Sequence, residues 1–214
     1  MKKLNIVYED KYLLIVNKPS KLLTIATNKG NEPNLYSEVY DYLHKKNQKV
    51  FIVNRLDKDT SGLVVFAKNE NVKNLMQDNW EKVIRKYYAI IEGVIEKSGE
   101  VESYLKETKT LLTYSTNDKT GKYAKTLFNP LSSNKKYTLL EINILTGRKN
   151  QIRVHMQDIN HPIIGDKKYG SRVNPINRMG LHAYYLNFTH PITKESIELS
   201  TSMPLEFSKI GLKI

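Results

Sequence analysis

Apolar positions recur every second residue along most of this chain, and every third or fourth along only a few stretches. Leu140, Ile142 and Ile144 alternate cleanly within residues 137–145, which is the period of a strand with one buried face. Strand-like runs also cover residues 4–8 and 12–17, which flank Glu9-Asp10-Lys11 and predict a hairpin. Further strands are predicted at 50–53, 63–67, 84–93, 101–105, 123–128, 181–188 and 197–199. Helical spacing is rarer. Leu35, Val39 and Leu43 follow Asn34, a good N-cap. Residues 71–83 carry Val72, Leu75, Met76 and Val83, and residues 148–159 carry Ile152, Met156 and Ile159 on one side. Residues 111–122 and 170–180 are polar, rich in turn formers and predicted as loops. Many antiparallel strands with few helices predict an α+β chain. Its 214 residues, without repeat or evident linker, are expected to form one domain, 1–214.

One segment does not fit its place in this pattern. Asn54-Arg55-Leu56-Asp57-Lys58-Asp59-Thr60-Ser61-Gly62 lies between two apolar runs, 50–53 and 63–67. Thr60 to Gly62 are ordinary turn residues. Arg55, Leu56 and Asp57 are not, and loops on rigid scaffolds are where chemistry tends to sit. A calcium loop starting at Asp57 would need a bidentate Glu at its twelfth position, which is Lys68. An aspartic-protease pair would need a second Asp-Thr-Gly or Asp-Ser-Gly element, and the chain has none.

Composition narrows the classes. The chain has no cysteine, so disulfide scaffolds, cysteine zinc sites and cysteine nucleophiles are excluded. Met1-Lys2-Lys3-Leu4 leads straight into the first strand-like run without a signal-peptide core. No apolar run approaches the roughly 20 residues that cross a bilayer. A cytoplasmic protein without membrane contact is expected. The net charge of +12 points to nucleic acid as partner. The histidines 155, 161, 182 and 190 lack the spacing of a helical metal pair and are expected to be hydrogen-bonded in the core or at turns.

A second polar constellation, Thr146-Gly147-Arg148-Lys149-Asn150-Gln151-Ile152-Arg153-Val154-His155, follows the cleanest strand. With the helix starting near 148, Arg148 and Lys149 fall in its first turn, where cations are unfavourable unless an anion sits there. Arg153 is expected beside the apolar side, half-buried, and a buried Arg requires a carboxylate. Asp57 is the expected partner, and the pair would keep the Asp ionised.

Taken in order, these residues resemble the RluA-like family of RNA pseudouridine synthases. Tyr8-Glu9-Asp10 to Asn17-Lys18-Pro19 resembles its opening hairpin, and Asn54-Arg55-Leu56-Asp57 with Thr60-Ser61-Gly62 resembles its catalytic motif. Arg85-Lys86-Tyr87-Tyr88-Ala89 is similar to its basic-Tyr strand, and Gly147-Arg148 to His155 resembles its third motif. His161-Pro162-Ile163-Ile164-Gly165-Asp166, Tyr169-Gly170, Leu181-His182-Ala183 and His190-Pro191 complete the series. The chain departs from the pattern at Asn54 and Asn150, where the family usually has His, and at Lys21, where Gly is common. No N-terminal S4-type RNA-binding domain is expected.

The resemblance implies the pseudouridine synthase catalytic fold: a mixed, mainly antiparallel sheet flanked by helices and loops, with a central RNA-binding cleft. It implies an isomerase that converts uridine in RNA to pseudouridine, with no cofactor and no metal. Asp57, Tyr87 and Arg153 would be catalytic, and Arg55, Lys86, Arg148, Lys149, Asn150 and Gln151 would bind RNA. A stem-loop of ribosomal or transfer RNA is the expected partner, and a monomer the expected state. The rival reading is an inactive RNA-binding or chaperone protein of the same fold.

Overall fold

The computed structural model describes residues 4–26 and 32–212. Residues 1–3, expected to lead directly into the first strand, lie outside that range. The chain folds into two compact units: residues 1–83 with 183–202, and residues 84–182 with 203–214. The chain crosses from one to the other after Val83, His182 and Ser202.

The first unit is a sheet with a core on each face. Strands β1 (Ile6–Glu9) and β2 (Leu13–Lys18) form the expected antiparallel hairpin. The Asp10 carboxylate closes its turn by accepting the N–H groups of Tyr12 and Leu13 at 2.7 and 2.6 Å. β2 pairs antiparallel with β4 (Ser61–Ala67), and β3 (Phe51–Ile52) pairs with β4. All seven residues of β4 are buried. Alternation explains why this strand reads as a continuous apolar run. Ile15, paired with Val65, joins Leu13, Leu63 and Ala67 in one cluster. Leu14 and Val16, paired with Phe66 and Val64, join the opposite one.

Each cluster is covered by a helix. Helix α1 (Leu35–His44) buries Leu35, Val39 and Leu43, and Asn34 caps it, its Oδ1 accepting the Ser37 N–H at 2.9 Å. Helix α2 (Glu70–Asp78) buries Val72 and Met76 on the other side, and Asn69 caps it. A short 3₁₀ turn, Trp80–Lys82, separates α2 from the next strand, so the helix predicted to reach Val83 ends earlier.

The second unit carries the antiparallel order β5 (Ile84–Glu92), β9 (Tyr137–Ile144), β8 (Lys122–Ser133), β6 (Gly99–Glu107), β7 (Thr113–Thr116). β10 (Leu181–Thr189) begins in this unit and continues in the first, where it pairs antiparallel with β11 (Ser196–Ser200). β7 lies inside the stretch predicted as a loop. Only its Thr113 is buried, so the segment lacks the apolar alternation that marks a strand. Helix α3 (Gln151–Asp158) lays Ile152 and Met156 on Ala89, Ile91, Leu140 and Ile142. Ile90 and Leu139, one register step away, face a separate cluster with Ile164, Phe207 and Leu212.

Candidate active site

In the first unit, residues 54–60 leave the β3–β4 ladder and are fixed largely by donors from outside the turn. The last backbone rung is Val53 N–H to Val65 C=O, 3.1 Å. Asn54 then takes over, its Oδ1 accepting the Val65 N–H at 2.8 Å. The side-chain amide stands in for a backbone carbonyl while the chain turns away. The four carbonyls from Leu56 to Asp59 are each received. Leu56 accepts from the Thr24 hydroxyl at 2.7 Å and Asp57 from the Thr60 N–H at 3.2 Å. Lys58 accepts from the Lys18 ammonium at 3.1 Å and Asp59 from the Ser20 hydroxyl at 2.6 Å. The fully buried Lys18 also donates to Pro19 and Leu22, tying the segment after β2 to the same turn.

Two backbone positions make this packing possible. Gly62, paired with Lys18 in the ladder, has φ +122°, and a Cβ there would lie 2.1 Å from the Ala183 carbonyl oxygen. Lys21 adopts the left-handed φ of 67°, a conformation that costs a side-chain-bearing residue and suits glycine. Arg55 is exposed and Asp57 half-buried.

In the second unit, the constellation after β9 is arranged differently from the expectation. α3 begins at Gln151, and Asn150 before it is left-handed with φ 54° and no capping bond. Arg148 and Lys149 therefore precede the helix instead of forming its first turn. Arg148 Nε donates to the Tyr123 carbonyl at 2.9 Å, and Lys149 Nζ pairs with Glu107 at 2.7 Å. Gln151 is buried and satisfied. Its amide donates to Lys125 C=O and Thr126 Oγ1, and its Oε1 accepts from the Thr146 hydroxyl and the Arg148 N–H. It shapes the loop from within. Gly147 is a glycine for a local reason: Arg85 Nη1 would be 2.6 Å from its Cβ.

Within its own unit Arg153 pairs with Asp166, a carboxylate not expected from the sequence. Arg153 Nε and Nη2 donate to the two Asp166 oxygens at 2.6 and 2.8 Å, and Nη1 donates to Asn150 Oδ1 at 3.0 Å. The guanidinium lies over the Tyr169 ring, 4.6 Å from its centroid. Asp166 and Tyr169, members of the motif series to which the sequence alone assigns no role, are further functional candidates.

Lys86 and Tyr87 are neighbours on β5 and so point to opposite faces. Lys86 Nζ pairs with Glu141 at 2.9 Å. Tyr87 packs with Ile142 and Ile152, on the sheet face that α3 covers. The structure thus gathers Tyr87, α3 and Arg153 on one side of this unit and sets Lys86 on the other.

The histidines behave as structural groups. His155 is fully buried, its two ring nitrogens within 2.8 Å of Thr126 Oγ1 and 3.0 Å of Ser103 Oγ. Burial pushes its pKa down to about 4, so the ring is neutral. His190 Nδ1 accepts the N–H groups of Ile192 and Thr193. Among the described residues no group of three or more His, Asp or Glu side chains is arranged to hold a metal.

The family model described as RNA pseudouridylate synthase matches residues 12–158, a span that takes in both constellations. Ribosomal large subunit pseudouridine synthase D of Haemophilus influenzae is 36% identical, over 97% of this chain and 69% of that protein. tRNA pseudouridine synthase C of Haemophilus ducreyi is 32% identical, over 97% of this chain and 94% of that one. Among solved structures, Human RNA Pseudouridylate Synthase Domain Containing 4 superposes with a TM-score of 0.80 at 24% identity, covering 98% and 94% of the two chains. That likeness carries the fold, a mainly antiparallel α+β catalytic fold of the kind expected.

Proposed function

This chain belongs to the RNA pseudouridylate synthase family and is an isomerase acting on RNA, and we propose that Asp57 is its catalytic carboxylate. In this reading the N1–C1′ bond of a uridine breaks, the uracil turns, and C5 bonds to C1′. C5 loses its proton and N1 gains one, so the atoms balance within one nucleotide. Attack of Asp57 at C1′, attack at the base and removal of a ribose proton all need the carboxylate ionised. Arg153 is its proposed partner, and Tyr87 the ring that stacks on the uracil and assists departure of the C5 proton.

The observation that carries the choice of Asp57 is the set of bonds around it. Four consecutive carbonyls, Leu56 to Asp59, receive donors. The turn is held in place by the donors that its backbone carbonyls receive from Lys18, Ser20, Thr24 and Thr60. A rigid scaffold under a carboxylate is what a positioned catalytic group requires.

The proposed targets are uridines in ribosomal or transfer RNA, the substrates that the relatives' names carry. Extrusion of the base is cheapest from loops and bulges. Arg55, exposed beside Asp57, is the first candidate to contact flanking phosphates or fill the vacated stack. Arg148 follows, and Asn150 is a weaker candidate because Arg153 and Tyr169 hold its amide. Lys149, Lys86 and Gln151 are weaker candidates, since carboxylates hold the two lysines and the unit's interior holds the amide. The family match runs across the boundary at Val83–Ile84, which supports a single catalytic domain made of both units. We take the protein to act as a cytoplasmic monomer.

Pseudouridine mapping of total RNA from cells with and without this protein tests the activity and names the target together. Loss of one or a few pseudouridines is the expected result. An unchanged map would favour an RNA-binding or chaperone role.

A further inference from the structure

We infer that Asp166, assisted by Asn150 and Tyr169, is a positioning group for Arg153 in uridine isomerisation, acting through the guanidinium without touching the substrate. The inference rests on the reading of Arg153 as partner of the catalytic carboxylate.

The guanidinium is fixed in every direction that matters. Asp166 grips its Nε–Nη2 edge in a two-pronged pair at 2.6 and 2.8 Å, which sets the plane and the rotation within it. The Tyr169 ring at 4.6 Å supports its face. Asn150 Oδ1 accepts from Nη1 at 3.0 Å. Asn150 is itself held, its Nδ2 donating to the Tyr169 hydroxyl at 2.9 Å, and that hydroxyl also accepts the Thr113 N–H at 3.3 Å.

One tight turn supplies both the carboxylate and the ring. The Asp166 carbonyl accepts the N–H groups of Tyr169 and Ser171, each at 3.1 Å, winding the chain so that side chains three residues apart address one guanidinium. Gly165 before it has φ +76°, and a Cβ there would lie 2.4 Å from the Arg178 carbonyl oxygen. The Asp166 side chain is 2% exposed and that of Arg153 11%.

Burial is what separates a positioning role from a stabilising one. Two ions taken out of water pay desolvation that their attraction only partly returns, and a well-packed apolar pair often stabilises as well or better. A bidentate ion pair gives what an apolar pair cannot, a planar donor set aimed in one direction. With Asp166 on the Nε–Nη2 edge, the direction of the adjacent Nη1–Nη2 edge follows. That edge is the one Arg153 would offer to a catalytic carboxylate.

The test is steady-state turnover on total RNA purified from cells lacking this protein, with RNA affinity measured by filter binding. Asp166→Asn keeps the shape and removes the charged grip. It is expected to lower kcat by about 100-fold with KM and RNA affinity nearly unchanged, the scale of a misplaced catalytic partner. In an Arg153→Ala background the same substitution should add nothing, because its effect passes through Arg153. Asn150→Gly keeps the left-handed backbone and removes only the amide, so it covers the case in which Asp166→Asn fails to fold. It should lower kcat about tenfold at unchanged RNA affinity.

A folded Asp166→Asn protein with parental kcat overturns the inference, as does an equal loss in both backgrounds. Should Asp166→Asn not fold, parental kcat in Asn150→Gly overturns it. Arg153→Ala at full activity would instead remove the catalytic reading of Arg153. An inactive Arg153→Ala beside a normal Asp166→Asn would remove the present inference alone.

Discussion

At the scale of residues, the turn at 54–60 separates two jobs that its sequence mixes. Asn54, Thr24, Ser20 and Lys18 close the turn, and Asp57 carries the proposed chemistry. Asp57→Asn keeps the side chain's shape and should leave the fold and RNA affinity intact while abolishing pseudouridine formation, a loss of at least about 1000-fold read by quantifying pseudouridine in treated RNA. Gly62→Ala should do the opposite kind of damage. A Cβ 2.1 Å from the Ala183 carbonyl cannot be accommodated by a side-chain shift, so a largely insoluble protein is expected on expression. The turn was legible as a candidate site because Arg-Leu-Asp has no reason to occupy a turn. The Asp166 grip on Arg153 was not. Asp166 stands thirteen residues on, across a helix end and a tight turn, and no sequence period links such positions.

At the scale of elements, legibility followed burial and capping. α1 was readable because Asn34 and three buried apolar residues at helical spacing agree. Asn34→Ala should cost about 1 kcal/mol, seen as a lower urea midpoint. β9 was readable from its alternation, whereas β7 was not, since a four-residue strand with one buried residue leaves no pattern. The start of α3 was misplaced because Asn150 breaks the helix with a left-handed backbone, a geometry that asparagine permits without announcing.

The same element carries an acid response. His155, which ties α3 to β6 and β8, has its pKa lowered by burial from 6.5 to about 4. The unfolded chain thus takes up a proton below about 6.5 that the folded protein refuses until about 4. Its penalty is absent above that window and grows as pH falls through it, reaching roughly 3 kcal/mol. Urea midpoints measured from pH 7 to 4 should fall more steeply for the parent than for His155→Gln.

At the scale of the whole molecule, the net charge of +12 can be divided by what the lysines touch. Lys46 and Lys68 share Glu9, Lys86 meets Glu141, Lys125 meets Glu100 and Glu102, and Lys106 and Lys149 meet Asp118 and Glu107. Taken together these lysines and carboxylates cancel and add little to binding a polyanion. The surplus therefore resides elsewhere, on exposed cations such as Arg55, Lys45, Lys109, Lys167 and Arg172. If that surplus tracks an RNA backbone, affinity should fall linearly on a log–log plot against salt, by about 10³-fold or more between about 50 and 200 mM for six or more phosphate contacts. Arg55→Ala should reduce that slope by about one, whereas Lys86→Ala, whose ammonium serves Glu141, should leave it nearly unchanged. A lysine-rich coat with no part in binding predicts a flat plot and equal behaviour of the two variants, so filter binding across a salt series decides between them.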